Sequence, residues 1–444
     1  MALTISRILH AGYLFENNGC IVAFDPLFEN PFSQNCYAFP EIRFDRKMIS
    51  ELRLEAVFLS HHHDDHFSLE SLDLIDRKTP IYLFAADEIF FEILRQMGFY
   101  NVHSVELGRS IFICDFEIIA LEALDREVDS LYHLKVDGLN ILNVVDSWIG
   151  LNTMEKLRQT SRWDLILWPF QAMRELEVIA PSAAEVISEE SQKIPQEWLE
   201  QLWQLSPRAI VPSSCQFRFE DWSWYNKAFF PISYDQFEKQ IRHVLPSAEV
   251  HRLDPGESLR FSDLGWKKQE RLSWIHPVGN QNVDYEFQSE ITPQSMSEIA
   301  QKFLPLSFDQ KKWIESYCEH DIIHRYCSLA QVEESFFCMP RQWRLIIYDS
   351  NGQATSFQYQ ILKNQMKQVM ISEDWNWKTE IAETKLWGAL HHGESLTSIY
   401  LRITPAKDTD LFDDPLVRCL YEGIVGGYQK AQLRKIQSAK KMGS

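Results

Sequence analysis

The sequence predicts an α/β protein: a four-layered αββα sandwich, two β-layers flanked by helices, followed by a C-terminal α+β unit. Three observations carry this expectation. Strand-type and helix-type signals alternate through residues 1–262, as two sheets faced by helices require. The pattern changes after Phe261-Ser262-Asp263-Leu264-Gly265, where residues 266–295 are rich in polar and turn-forming types. An apolar, β-prone run, Leu54-Glu55-Ala56-Val57-Phe58-Leu59, leads straight into Ser60-His61-His62-His63-Asp64-Asp65-His66, so a dense set of ligand-type side chains sits where a buried strand ends.

That cluster spells His-x-His-x-Asp-His at His61, His63, Asp65 and His66. Side chains of an extended segment repeat every two residues, so the imidazoles of His61 and His63 point the same way and can grip one cation. Asp65 and His66 then turn toward a second, which suits a two-metal site. His62 alternates away, and Asp64 is expected to cap a helix over Phe67–Arg77. A solvated histidine-rich turn is the ordinary alternative. Four correctly spaced ligands behind a hydrophobic strand count against it.

The motif resembles that of the metallo-β-lactamase superfamily, and its surroundings fit. An early hairpin, Ile8-Leu9-His10-Ala11-Gly12-Tyr13-Leu14-Phe15-Glu16, is followed by Cys20-Ile21-Val22-Ala23-Phe24-Asp25-Pro26, a strand ending in Asp-Pro. Gly138–Ser147 looks like the superfamily's hairpin that ends in a metal-bridging aspartate, here Asp146, and Pro207–Pro212 looks like its last core strand. Within the superfamily the chain looks closest to the L-ascorbate-6-phosphate lactonase-like and CMP-N-acetylneuraminate monooxygenase-like branch, through Asn140–Ser147, Asp221–Phe237 and Asp254-Pro255-Gly256.

The resemblance implies ligands and also departures. Aligning on Gly138 and Asp146 places the superfamily's third histidine at Asp125, a carboxylate for an imidazole. The histidine that closes the second site in many members falls at Ser214. The implied metal ligands are therefore His61, His63, Asp65, His66, Asp125 and Asp146, with the second site short of donors and Asp65 also orienting the nucleophilic water. The implied cofactor is one or two divalent ions, zinc or iron, with manganese also compatible; the added oxygen donor favours the harder metals. Such an ion lowers the pKa of bound water from 15.7 to about 7, so a metal-bound hydroxide becomes available at neutral pH.

The leading expectation is a metal-dependent hydrolase acting on a small, anionic metabolite. The runner-up is an iron-dependent oxygenase using a separate electron-transfer partner, and the third reading is a catalytically weak metal-binding scaffold. The sialic-acid hydroxylases of the resembled branch pair this domain with a Rieske centre, whose Cys-x-His and Cys-x-x-His ligands are not both present here: Cys318-Glu319-His320 has no second half. Cys318, His320, His324 and Cys327 have the makings of a zinc knot, but they sit in a helix-like stretch, Phe308–Ala330, which favours packing. His133 lies on an alternating strand and reads as packing, Asp129 as a carboxylate behind a ligand histidine, and His10 as a residue at the pocket rim. His391-His392 fit a helix C-terminus before Gly393.

Composition bounds the rest. Net charge is −19, from 44 basic and 63 acidic side chains, and no basic stripe interrupts it, which disfavours nucleic acid as substrate. Residues 1–7 lack a signal-peptide layout, no apolar run approaches 18 residues, and eight cysteines without framework spacing suit a reducing compartment, so the expected location is cytoplasmic with no membrane span. A homodimer is left open. The expected organisation is a catalytic domain over 1–265, a connector over 266–295 wrapping back onto it, and an accessory α+β domain over 296–444. Helices are expected at 183–205 (packing through Ala184, Val186, Ile187, Trp198, Leu199 and Trp203), 295–304, 308–329, 380–391 and 413–437, and strands at 343–348, 354–362 and 368–371.

Overall fold

The computed structural model describes residues 3–181, 192–262, 265–333, 335–406 and 409–443. An eight-stranded sheet carries, in spatial order, Gly265–Gln269, Ser258–Ser262, Thr4–Arg7, Tyr13–Asn17, Cys20–Phe24, Ala56–Leu59, Ile81–Leu83 and Val102–Ser104. A seven-stranded sheet runs Glu249–Val250, Ala209–Ser213, Leu165–Pro169, Leu139–Asn143, Ser130–Val136, Phe116–Glu122 and Ser110–Ile113. Both are mixed. Antiparallel hairpins make one half of each, and parallel strands the other.

The layer between the sheets is dry and aromatic. Phe15, Phe24 and Phe58 from one sheet meet Ile118, Tyr132, Ile141, Leu167 and Val211 from the other, all fully buried. The outer faces of the sheets, with Ala23, Val57, Leu59, Leu142 and Ile166, pack against the helical layers. Strands such as Ala56–Leu59 and Leu165–Pro169 are thus buried on both faces, which is why they read as continuous apolar runs. This is the four-layered αββα sandwich expected from the sequence.

Two local features place the site. The hairpin joining Ser130–Val136 to Leu139–Asn143 turns on Asp137-Gly138, both with positive φ, the left-handed pair that a tight two-residue turn needs. The parallel strands of both sheets, registered Phe24↔Phe58 and Asn143↔Leu167, end on the same rim, where ligands bind in α/β sheets.

Beyond the sandwich, Ile275–Pro277 pairs antiparallel with Ile42–Phe44, and a five-stranded sheet follows in the order Gln365–Gln368, Ala354–Leu362, Arg341–Tyr348, Trp377–Ala382, Arg402–Thr404. Several expected elements differ. The segment 413–437 is two helices, Pro415–Tyr421 and Gly427–Gly443, because Gly423 and Gly426 take positive φ between them. Residues 377–382 form a central strand ahead of the helix Glu383–His392, and pairing stops at Gln368 rather than extending to 371. The helix Gln196–Leu205 buries Trp198 but leaves Trp203 64% exposed; Ala184, Val186 and Ile187 lie outside the described residues. Cys318, His320, His324 and Cys327 fall on one helical run, Phe308–Ser328, interrupted by a π turn at Tyr317–Asp321, and form no metal-type group among the described residues. Against the reduced-thiol expectation, Cys20 and Cys114 are joined by a disulfide. Among the described residues no helix is long and apolar enough to cross a membrane.

Gly12 is the tightest point beneath the site. A β-carbon there would lie 2.7 Å from the Asp25 carbonyl and 2.9 Å from that of Leu9, both backbone atoms. Gly12→Ala is therefore expected to destabilise the fold by about 1–3 kcal/mol, read as a lower urea midpoint at unchanged slope.

Candidate metal centre

The site begins with a buried carboxylate. Asp25 follows the strand Cys20–Phe24 and is 1% exposed. It accepts hydrogen bonds from the Ser60 amide and the Ser60 hydroxyl, each at 2.7 Å, and from His66 Nδ1 at 3.1 Å. Because the Ser60 hydroxyl donates to Asp25, it can only accept from His61 Nδ1, 2.9 Å away. One carboxylate thereby sets two tautomers, and the Nε2 atoms of both His61 and His66 are left bare toward the rim.

Around those nitrogens two groups converge. The first is His61, His63 and Asp129, with His61 Nε2 2.9 Å from His63 Nδ1 and 3.8 Å from Asp129 Oδ1. The second is His10, Asp65, His66 and Asp146. There His66 Nε2 lies 3.0 Å from Asp146 Oδ2 and 3.7 Å from Asp65 Oδ1, while His10 Nε2 lies 3.1 Å from Asp65 Oδ2. Donors held 2.0–2.1 Å from one tetrahedral ion stand about 3.3 Å apart, so these spacings fit divalent cations. A further sign of fit is Asp129 Oδ1, which is buried and has no hydrogen-bond partner.

The electrostatics differ between the two groups. Burial pushes the Asp129 carboxyl up to about 6, and Asp146 adds to the effect. Burial also works against charge on Asp146, but His66 and His10 beside it hold the carboxyl well below its usual range. His61, buried among His66 and His63, is driven well below the ordinary imidazole value. His66 and His10 go the other way: burial lowers both, but Asp146 and Asp65 beside them raise both imidazoles, His66 well above its ordinary value, so a cation in the second group would displace protons.

Of the residues singled out in the sequence, His61, His63, Asp65, His66 and Asp146 come together. Asp125 does not. It is exposed at the start of the turn that its carbonyl closes with the Asp129 amide at 2.8 Å, and its side chain faces the Glu127 amide. The carboxylate beside His61 and His63 is Asp129, four residues on, at the end of that turn. Ser214 is buried and belongs to neither group. His10, expected at a pocket rim, is 1% exposed against the second group. His133 bonds Asn140 and packs on Trp163, away from the rim. Asp64 does not cap the next helix. That helix is the short Leu69–Leu72, capped by Ser68. The role of Asp25 was carried in the sequence only by its place in an Asp-Pro strand end.

The C-terminal helix Gly427–Gly443 reaches this loop. Gln429 Nε2 donates to the carbonyls of His62 and Phe67, and Gln432 Oε1 accepts from the Leu69 amide. Between the two units lies a cavity of about 310 Å³, whose lining includes His63, Asp64, Tyr421, Tyr428, Lys430 and Arg434.

No protein-family model matches the sequence, and no curated protein matches it. Solved structures do. A metallo hydrolase from Ignicoccus hospitalis is 16% identical at a TM-score of 0.40, over 59% of this chain and 99% of that one. CmlA, a diiron β-hydroxylase from Streptomyces venezuelae, is 15% identical at a TM-score of 0.41, over 61% of this chain and 54% of that one. The metallo-β-lactamase fold protein YhfI from Bacillus subtilis is 14% identical at a TM-score of 0.37, over 58% and 99%.

Asp25→Asn removes the charge that orders Ser60 and His66 while preserving shape. Metal affinity, measured by competition with a chromophoric chelator, is expected to fall about 10–100-fold. Unchanged affinity would remove Asp25 from the support of the site.

Proposed function

We propose that this protein is a metal-dependent hydrolase of the metallo-β-lactamase superfamily, acting on a small anionic metabolite through a two-cation site. The carrying observation is the pair of convergent donor groups at one strand rim. In this reading His61, His63 and Asp129 would hold one cation, and Asp65, His66 and Asp146 would hold the other. A bound divalent cation supplies hydroxide at neutral pH. Asp65 would orient the attacking water: it is about one quarter exposed, so it faces both the donor group and the solvent side of the rim. His61 stays neutral, fixed by Ser60, and Asp25 keeps His66 in its ligating tautomer. The adjoining cavity gives the substrate a place to lie, and Lys430 and Arg434 on its wall supply local positive charge in a chain of net charge −19. That balance supports a small anion over a polyanionic nucleic acid.

One observation favours a second reading. Two histidines and one carboxylate, as in His61, His63 and Asp129, are also the donor set of non-haem iron oxygenases. That enzyme would need an electron-transfer partner, because no Rieske ligand set is encoded.

Plasma mass spectrometry of the freshly purified chain separates the readings. Two zinc or manganese ions per chain, with turnover on ester, lactone or phosphoester panels, are expected for the hydrolase. Iron with substrate-dependent oxygen uptake would replace it by the oxygenase. Asp146→Ala should lose metal and turnover together; full retention of both would overturn the site assignment. Asp65→Asn should lower kcat about 10²–10⁴-fold with a smaller effect on KM.

A further inference from the structure

We propose that His10 is the fourth protein ligand of the second cation. This rests on the two-cation reading above and deepens it.

The geometry of the ring carries the argument. His10 Nδ1 lies 3.1 Å from the Cys215 carbonyl, which can only accept, so Nδ1 bears the proton. His10 Nε2 is then bare. It lies 3.2 Å from His66 Nε2, which is bare for the same reason, because His66 Nδ1 donates to Asp25. Two lone pairs facing each other at that distance repel. A cation between them removes the repulsion, and the Asp65 and Asp146 oxygens, 3.1 and 3.8 Å from His10 Nε2, complete its shell. A proton on either ring would also relieve the repulsion, so cation and proton are the two cases to separate.

The backbone is shaped to hold the ring there. His10 itself has φ +54°, and Ser214, Cys215 and Gln216 have φ of +60°, +58° and +44°, a run of left-handed residues just past the strand Ala209–Ser213. Such a run is costly for residues with a β-carbon, and it aims the Cys215 carbonyl at His10. Arg7, fully buried, clamps the two segments together. Its guanidinium donates to the His10 carbonyl at 3.0 and 2.7 Å, and to the carbonyls of Pro212 and Ser214 at 2.7 and 2.8 Å. Among the described residues Arg7 has no carboxylate partner within ion-pair distance, so its donors are spent on positioning backbone. Arg7 is a positioning residue.

The test uses the full chain, stripped by chelation and titrated with Co²⁺ under argon. Calorimetry and d–d absorption follow the two binding steps. The wild type is expected to bind two ions. In His10→Asn, whose new side chain tolerates the left-handed backbone but is too short to ligate, the first step should be unchanged and the second weakened at least about tenfold. Two unchanged steps would overturn the proposal and leave His10 a protonated partner of Asp65. A readout on the wild type avoids dependence on the variant's folding. In the Co²⁺-loaded protein, paramagnetically shifted imidazole N–H resonances should appear for each of His10, His61, His63 and His66. Absence of the His10 resonance overturns the assignment even where two ions bind. A wild type that binds fewer than two ions instead fails the two-cation reading, and the His10 assignment with it.

Discussion

The Asp25 carboxylate, buried and carrying three hydrogen bonds from Ser60 and His66, is the contact on which the rest of the rim is built. Its two oxygens tie the end of one parallel strand to the start of the loop after the next. A buried carboxylate without such partners would be neutralised or expelled. With them it becomes a fixed acceptor, and the acceptor decides which nitrogen of each neighbouring imidazole is free. The directions of His61 and His66 follow from it, and the convergence of the two donor groups follows from those directions.

Around that anchor the rim accumulates unlike demands. Asp65, Asp129 and Asp146 bring negative charge into a space that burial makes hostile to it, and His61 is held neutral nearby. Such an arrangement is poor packing and good ligation. Convergent imidazole nitrogens and a buried Asp129 oxygen without a partner are what a group able to hold a cation requires.

How much of this was legible depended on distance along the chain. His61, His63, Asp65 and His66 were readable because they crowd into six residues directly after the strand Ala56–Leu59. Asp146 was readable because the hairpin turn Asp137-Gly138 marks the strand it follows. Asp129 was displaced to Asp125 because a closed four-residue turn leaves the spacing between them ambiguous. His10 was underestimated for a deeper reason: its placement depends on Arg7 and on carbonyls some 200 residues away, a relation no local pattern carries. The same limit applies to the C-terminal sheet, where the strand Trp377–Ala382 is defined by its partner Arg341–Tyr348 more than by its own residues.

The contacts from Gln429 and Gln432 to the backbone of the metal loop have a consequence for energetics. They bond the carbonyls of His62 and Phe67 and the Leu69 amide, groups whose positions are also set by the ligands among them. Any free energy that ordering of the loop contributes to cation binding is therefore shared with the docking of the last helix. By thermodynamic reciprocity, whatever the docked helix does to the affinity for a cation, a bound cation would do to the docking of the helix. The C-terminal unit is thus tied to the loop that carries the donor groups: chain order at one end and cation occupancy at the other would belong to a single equilibrium.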